Sequence, residues 1–131
     1  MKIGRDITAA SKKLGFLVLR SRIEDGSDVA EQSKSEVAKI VGLIHSAYKE
    51  CEDRTSFWRL RKQISPGLQE FVESVSLLHY VQEKQVISFD AVNELLGLPE
   101  PVLTAEDYIL GIADLSGELM RLATNWVAAG W

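Results

Sequence analysis

Four acidic side chains are spaced so that they can act in pairs. Glu70 and Glu73 stand in Gly67-Leu-Gln-Glu-Phe-Val-Glu-Ser-Val-Ser-Leu-Leu78, at i,i+3. Asp114 and Glu118 stand in Gly111-Ile-Ala-Asp-Leu-Ser-Gly-Glu-Leu-Met-Arg121, at i,i+4. Either spacing puts both members of a pair on one helix face. An all-oxygen donor set suits a hard divalent cation, Mg²⁺ or Mn²⁺, and suits zinc poorly. A cation held by such acids can polarise a phosphoryl oxygen and activate a water, which is the chemistry of phosphodiester cleavage.

Pattern alone leaves plainer readings open. Asp114 and Glu118 fit a solvated stripe, with Asp107, Arg121 and Asn125, opposite an apolar face of Tyr108, Ile109, Ile112, Leu115, Leu119, Leu122 and Trp126. Glu70 and Glu73 fit a rim where their helix emerges into water. Two details weigh the other way. Gly111 and Gly117 each cost roughly 1 kcal/mol relative to Ala inside a helix, which is easier to understand if something packs or binds beside that stripe. Leu77 and Val81 share the Glu70 side, and a carboxylate in an apolar setting must be paired, protonated or metal-bound.

The elements that must position these acids read as helices throughout. No period-2 run is bounded by turn residues on both sides. A first helix is expected over about Ile7 to Ile23, with Ile7, Ala10, Leu14 and Leu17 on one stripe. Gly26-Ser27-Asp28 breaks it, and a second helix follows over about Val29 to Glu50. Ser65-Pro66 reads as an N-cap with proline at the first helical position, opening a helix to about Lys84 that is apolar nearly all round. A short helix over Phe57 to Gln63 precedes it or runs into it through a proline kink. Ser88 caps a helix over Phe89 to Leu96, closed by Gly97. Thr104-Ala-Glu-Asp107 approximates a capping box for the last helix. The expected fold is all-α: an antiparallel-leaning bundle of about six helices in one domain over residues 1–131.

Composition narrows the function. The 131 residues are 46% hydrophobic and 26% charged, an ordinary globular balance. The longest apolar runs are too short to span a bilayer, so no membrane role is expected. The start has no apolar signal-peptide core, and a single cysteine, Cys51, points to a reducing compartment. The net charge of −4 argues against a stand-alone nucleic-acid binder, so another subunit would have to supply positive surface. His45 and His79 lie within apolar helices, and His79 falls on the opposite side of its helix from Glu70. No Glu-x-x-His pair and no Gly-rich phosphate loop is present. Trp58-Arg-Leu-Arg-Lys62 is a small basic-aromatic cluster, as compatible with an anchor for Trp58 as with a phosphate contact.

The two acidic segments, together with Arg5-Asp-Ile-Thr8, resemble the translin-associated factor X branch of the translin family, in the expected order over nearly the whole chain. Asp-Leu-Ser-Gly-Glu-Leu-Met-Arg121 is the most specific part. The resemblance implies an all-helical fold and assembly with translin into a closed hetero-octamer. It implies a Mg²⁺-dependent endoribonuclease acting on single-stranded RNA, in silencing-complex activation and transfer-RNA fragment processing, in cytoplasm and nucleus. It makes Glu70, Glu73 and Asp114 the catalytic, metal-holding acids, with Glu118 a further metal ligand. Against the family pattern, the basic N-terminal tail and a final helix are missing, and the connector from Leu98 to Leu103 is short. A non-catalytic helical scaffold binding translin and nucleic acid is the alternative.

Overall fold

In a computed structural model, residues 2–21 and 27–130 are described, and the side chains of residues 20, 21, 27–30, 122 and 126 lie outside the described set. Five helices follow one another: α1 (Lys2–Ser21), α2 (Ser27–Lys49), α3 (Arg54–Glu83), α4 (Phe89–Leu96) and α5 (Ala105–Ala128). No strand is present among the described residues.

The all-helical expectation holds, with boundary corrections that have local causes. α1 begins at Lys2 rather than near Ile7. Of the expected break, Gly26 lies outside the described residues, as does the expected helix end at Ile23, while Ser27 and Asp28 already belong to α2. Ser65-Pro66 does not start a helix. The 30-residue α3 runs through Pro66, and its cap is Asp53, whose side chain accepts the Ser56 N–H at 2.8 Å. Of the two readings of Phe57 to Gln63, the one in which it runs into the next helix holds, and five helices result among the described residues. α3 ends where Lys84 adopts a left-handed φ of 60° and its N–H reaches the Tyr80 carbonyl at 2.8 Å. The α4 caps, Ser88 and Gly97, stand where the sequence places them.

α3 is the centre of the bundle. Ile64, Leu68, Phe71 and Val72 are fully buried, and each such side chain contributes about 1.5–3 kcal/mol through burial. α1 packs on one side of α3 and α5 on another, while α2 lies mainly against α1. Successive long helices reverse: the α2 end meets the α3 start through an edge-on Tyr48–Phe57 contact. The alternate helices α1, α3 and α5 consequently run the same way. Small residues fix their register. A Cβ on Gly4 would stand 2.7 Å from the Gln63 carbonyl oxygen, and one on Gly67 would stand 2.9 Å from Ile7 Cγ2. Higher along the same seam the Ser74 hydroxyl donates to the Ser11 carbonyl at 2.6 Å. No helix among the described residues is long and apolar enough to cross a membrane.

A candidate acidic cleft between three parallel helices

Residues of α1, α3 and α5 line an open cleft of about 580 Å³. Its floor is α3, with Glu70, Glu73, Ser74 and Leu77. Its α5 wall carries Asp114, Gly117, Glu118 and Arg121, and its α1 wall carries Lys12, Gly15, Phe16 and Leu19. All four acids singled out from the sequence thus reach one space. The two pairs meet because α3 and α5 run parallel in a fixed register, and glycine sets that register. A Cβ at Gly111 would lie 2.6 Å from Val72 Cβ and 2.9 Å from the Gln69 carbonyl oxygen. The expectation that something packs tightly against Gly111 is met by α3 itself. Gly117 is different: nothing stands within 4 Å of a Cβ there, and it borders the open cleft.

Electrostatics follow from that convergence. The Glu73 carboxyl is pushed up to about 7, first by partial burial and then by repulsion from Glu70, Asp114 and Glu118. A hydrogen bond from its protonated form to Glu70 adds to the shift. Near neutral pH Glu73 is therefore divided between acid and base forms. Arg121 bonds Glu118 at 3.1 Å across one helical turn and answers part of the negative charge. Lys12, on the opposite wall, makes no ion pair among the described residues.

The donors are carboxylate oxygens, which is the chemistry a hard divalent cation prefers. The repulsion that adds to the burial of Glu73 is also what a cation would relieve. Still, among the described residues no three of the acids are drawn into metal-ligand geometry. The donor set fits Mg²⁺ in type, and side-chain rearrangement is required to close a coordination shell.

Two expectations for α5 need correction. Asp107 is not on the solvated stripe: it is 5% exposed and wedged against α3. Its Oδ1 accepts from Ser65 Oγ at 2.7 Å and from Gln69 Nε2 at 2.9 Å. The Thr104 half of the capping box forms, with Thr104 Oγ1 accepting the Asp107 N–H at 3.0 Å. The Asp107 carboxylate turns to α3 instead of back to the cap, because α3 offers it two donors. Ile109, expected on the core face, is 62% exposed. The buried ridge of α5 runs through Asp107, Gly111 and Leu115, so the apolar face is rotated from the expected one. The expected core roles of Leu122 and Trp126 fall on side chains outside the described set.

The remaining candidates lie elsewhere. The His45 ring donates to the Leu96 carbonyl, a satisfied histidine. His79 lines a separate groove between α2, α3 and α4. Burial, then Asp53 and Glu50, push the Cys51 thiol up, which disfavours a thiolate nucleophile. Arg61 covers the Trp58 ring at 4.9 Å, so the basic-aromatic cluster anchors itself away from the cleft. Sequence reasoning missed Lys12 and Phe16. Their signal was the i,i+4 spacing on α1, with Phe16 out of phase with the buried Leu14, Leu17 and Val18.

Comparison with known proteins agrees with this architecture. A profile described as the translin family matches residues 1–131. Translin-associated protein X of Pongo abelii is 33% identical over 99% of the chain and 53% of its own length. Translin of Gallus gallus is 37% identical over 56% of the chain and 34% of its own. The chain thus spans about half the length of the translin-associated relative. The crystal structure of apo-NeC3PO superposes with a TM-score of 0.59 at 22% identity, over 99% of this chain and 63% of that one, a likeness of fold.

Proposed function

The chain belongs to the translin family, and we propose that it is the acid-bearing subunit of a translin-containing endoribonuclease that cleaves single-stranded RNA with Mg²⁺. The observation that carries this reading is the gathering of Glu70, Glu73, Asp114 and Glu118, from two helices, in one cleft that raises Glu73 to about 7. The relatives' name, translin-associated, supports a translin partner, and a partner would bring the positive surface that a chain of net charge −4 needs to hold RNA. A hetero-octameric shell, roles in silencing and transfer-RNA processing, and residence in cytoplasm and nucleus belong to the same proposal.

Glu70, Glu73 and Asp114 would hold the cation, with Glu118 completing the shell when it releases Arg121. Mg²⁺ (or Mn²⁺), when bound, supplies Lewis-acid polarisation of a phosphoryl oxygen and a more acidic water. A cation beside Glu73 would offset the repulsion that helps to raise it, so Glu73 would act there as an ionised carboxylate that orients the attacking water. Arg121 and Lys12, on facing walls, can bind the flanking phosphates and limit where the strand lies.

The test combines the chain, a translin partner and single-stranded RNA, with Mg²⁺ or with EDTA. Cleavage is expected only with the metal, and Glu73→Gln is expected to slow it by about 10²–10⁴-fold. Unchanged cleavage by that variant overturns the assignment. A second reading, a non-catalytic scaffold binding translin and RNA, is favoured by the absence of a closed three-ligand shell among the described residues. Partner and RNA binding without cleavage at any Mg²⁺ concentration would establish it.

A further inference from the structure

Phe16 takes no part in the hydrophobic core among the described residues. It is 68% exposed, although the buried α1 positions Leu14, Leu17 and Val18 surround it in sequence. Its ring stands on the α1 wall of the acidic cleft, one turn after Lys12. Gly15 lets this wall stand close to the floor: a Cβ there would meet Ser74 Oγ at 3.2 Å. An open aromatic face, a cation without an ion pair among the described residues and a floor of acids therefore share one cavity. An apolar peptide would leave Lys12 and the acids without use, and a free phosphate would leave the ring without use. A nucleotide-bearing strand uses all three, because its bases present π-faces and its phosphates attract cations.

We propose that Phe16 is a stacking platform for an unpaired base beside the acidic floor, with Lys12 holding the adjoining phosphate. The deduction rests on the reading of the cleft as a phosphodiester site and adds a source of its selectivity. In a duplex both faces of each base are covered by its neighbours, so Phe16 has nothing to stack on. In a single strand the face is free. The bare backbone at Gly117, with nothing within 4 Å of a Cβ, leaves the α5 wall open to close approach of the strand. Phe16 is a specificity and positioning residue, and the acids remain the reacting groups.

The test measures binding in EDTA, where no cleavage occurs. The chain assembled with its translin partner is titrated with a single-stranded RNA of about 12 nucleotides carrying 2-aminopurine, and with the same sequence as a duplex. Phe16→Leu keeps apolar bulk and removes the π-face. It is expected to weaken single-strand binding by about 5- to 100-fold and to abolish part of the 2-aminopurine quenching. Phe16→Trp should restore both. Lys12→Ala should weaken binding and reduce the salt slope by about one. Duplex binding should not respond to Phe16→Leu. The ring is exposed, so these variants are expected to fold, and circular dichroism checks it. The proposal is overturned if Phe16→Leu binds like the parent, if duplex and single strand weaken equally, or if the variant instead disrupts assembly on a sizing column. Glu73→Gln separates the two readings. If it still cleaves while Phe16→Leu loses binding, the catalytic assignment fails and stacking stands. If it is inactive while Phe16→Leu binds normally, stacking alone fails.

Discussion

Asp107 and Glu73 are two carboxylates on the same α3–α5 seam, and their surroundings are opposite. Asp107 is nearly sealed and accepts from Ser65 and Gln69 of α3. Glu73 is half-buried and faces Glu70, Asp114 and Glu118, so its charge is opposed. Hydrogen-bond donors make the first a clasp that holds two helices in register. Partial burial and then like charges make the second costly to the fold, which is the condition in which a cation or a proton binds most readily. The seam holds a stabilising carboxylate at one end and a strained cluster at the other. The first fixes the geometry in which the second can exist.

Replacing each residue separates the two roles. Asp107→Ala leaves Ser65 and Gln69 without their shared acceptor and is expected to cost about 2–3 kcal/mol, the largest of these effects, read by urea denaturation. A loss below about 0.5 kcal/mol would remove Asp107 from the clasp role, since a surface position behaves that way. Gly111→Ala forces a Cβ against Val72 and the Gln69 carbonyl. It is expected to cost about 1–3 kcal/mol in the same assay and to pull Asp114 away from Glu73.

Glu73→Gln should act in the opposite direction. The folded-state value of Glu73 lies above its ordinary one, so the folded chain binds this proton more tightly than the unfolded chain does. The stability this confers is complete below the unfolded value and is lost as pH rises through about 7. The amide carries no charge and avoids that loss. Without metal, the variant is expected to melt about 2–5 °C above the parent at pH 8 and close to it at pH 5, followed by circular dichroism. A lower melting point at pH 8 would place Glu73 alongside Asp107 as a clasp and erase the contrast. The smallest effect is reserved for Gly117→Ala. With open space at the Cβ, it should gain up to about 1 kcal/mol from helix propensity. The same methyl group narrows the cleft, so RNA binding should fall while stability rises.

Much of the fold was legible in the sequence. The helical stripe of α1, the Ser88 and Gly97 caps and the Thr104 start of α5 were all placed from residue types and spacing, because capping and periodicity are local. Ser65-Pro66 misled for the converse reason. As a local signal it reads as a helix start, yet the core contacts of Ile64 and Leu68 on either side carry α3 straight through it. Asp107 and Ile109 exchanged their expected faces, since the buried ridge of α5 was chosen by what α3 offered to it. The acids were found by their spacing, whereas Lys12 and Phe16 carried only a weak signal on a helix that looked structural.

The sequence by itself determined that this chain forms helices and that two of them carry paired acids. Helical spacing follows from backbone geometry, which each segment possesses alone. Only the tertiary structure decided that the pairs share a cleft, that Asp107 is a clasp and that an exposed phenylalanine overlooks the acids. Those outcomes depend on the parallel register of α1, α3 and α5. That register is set by close approaches at Gly4, Gly67 and Gly111 between residues far apart in the chain.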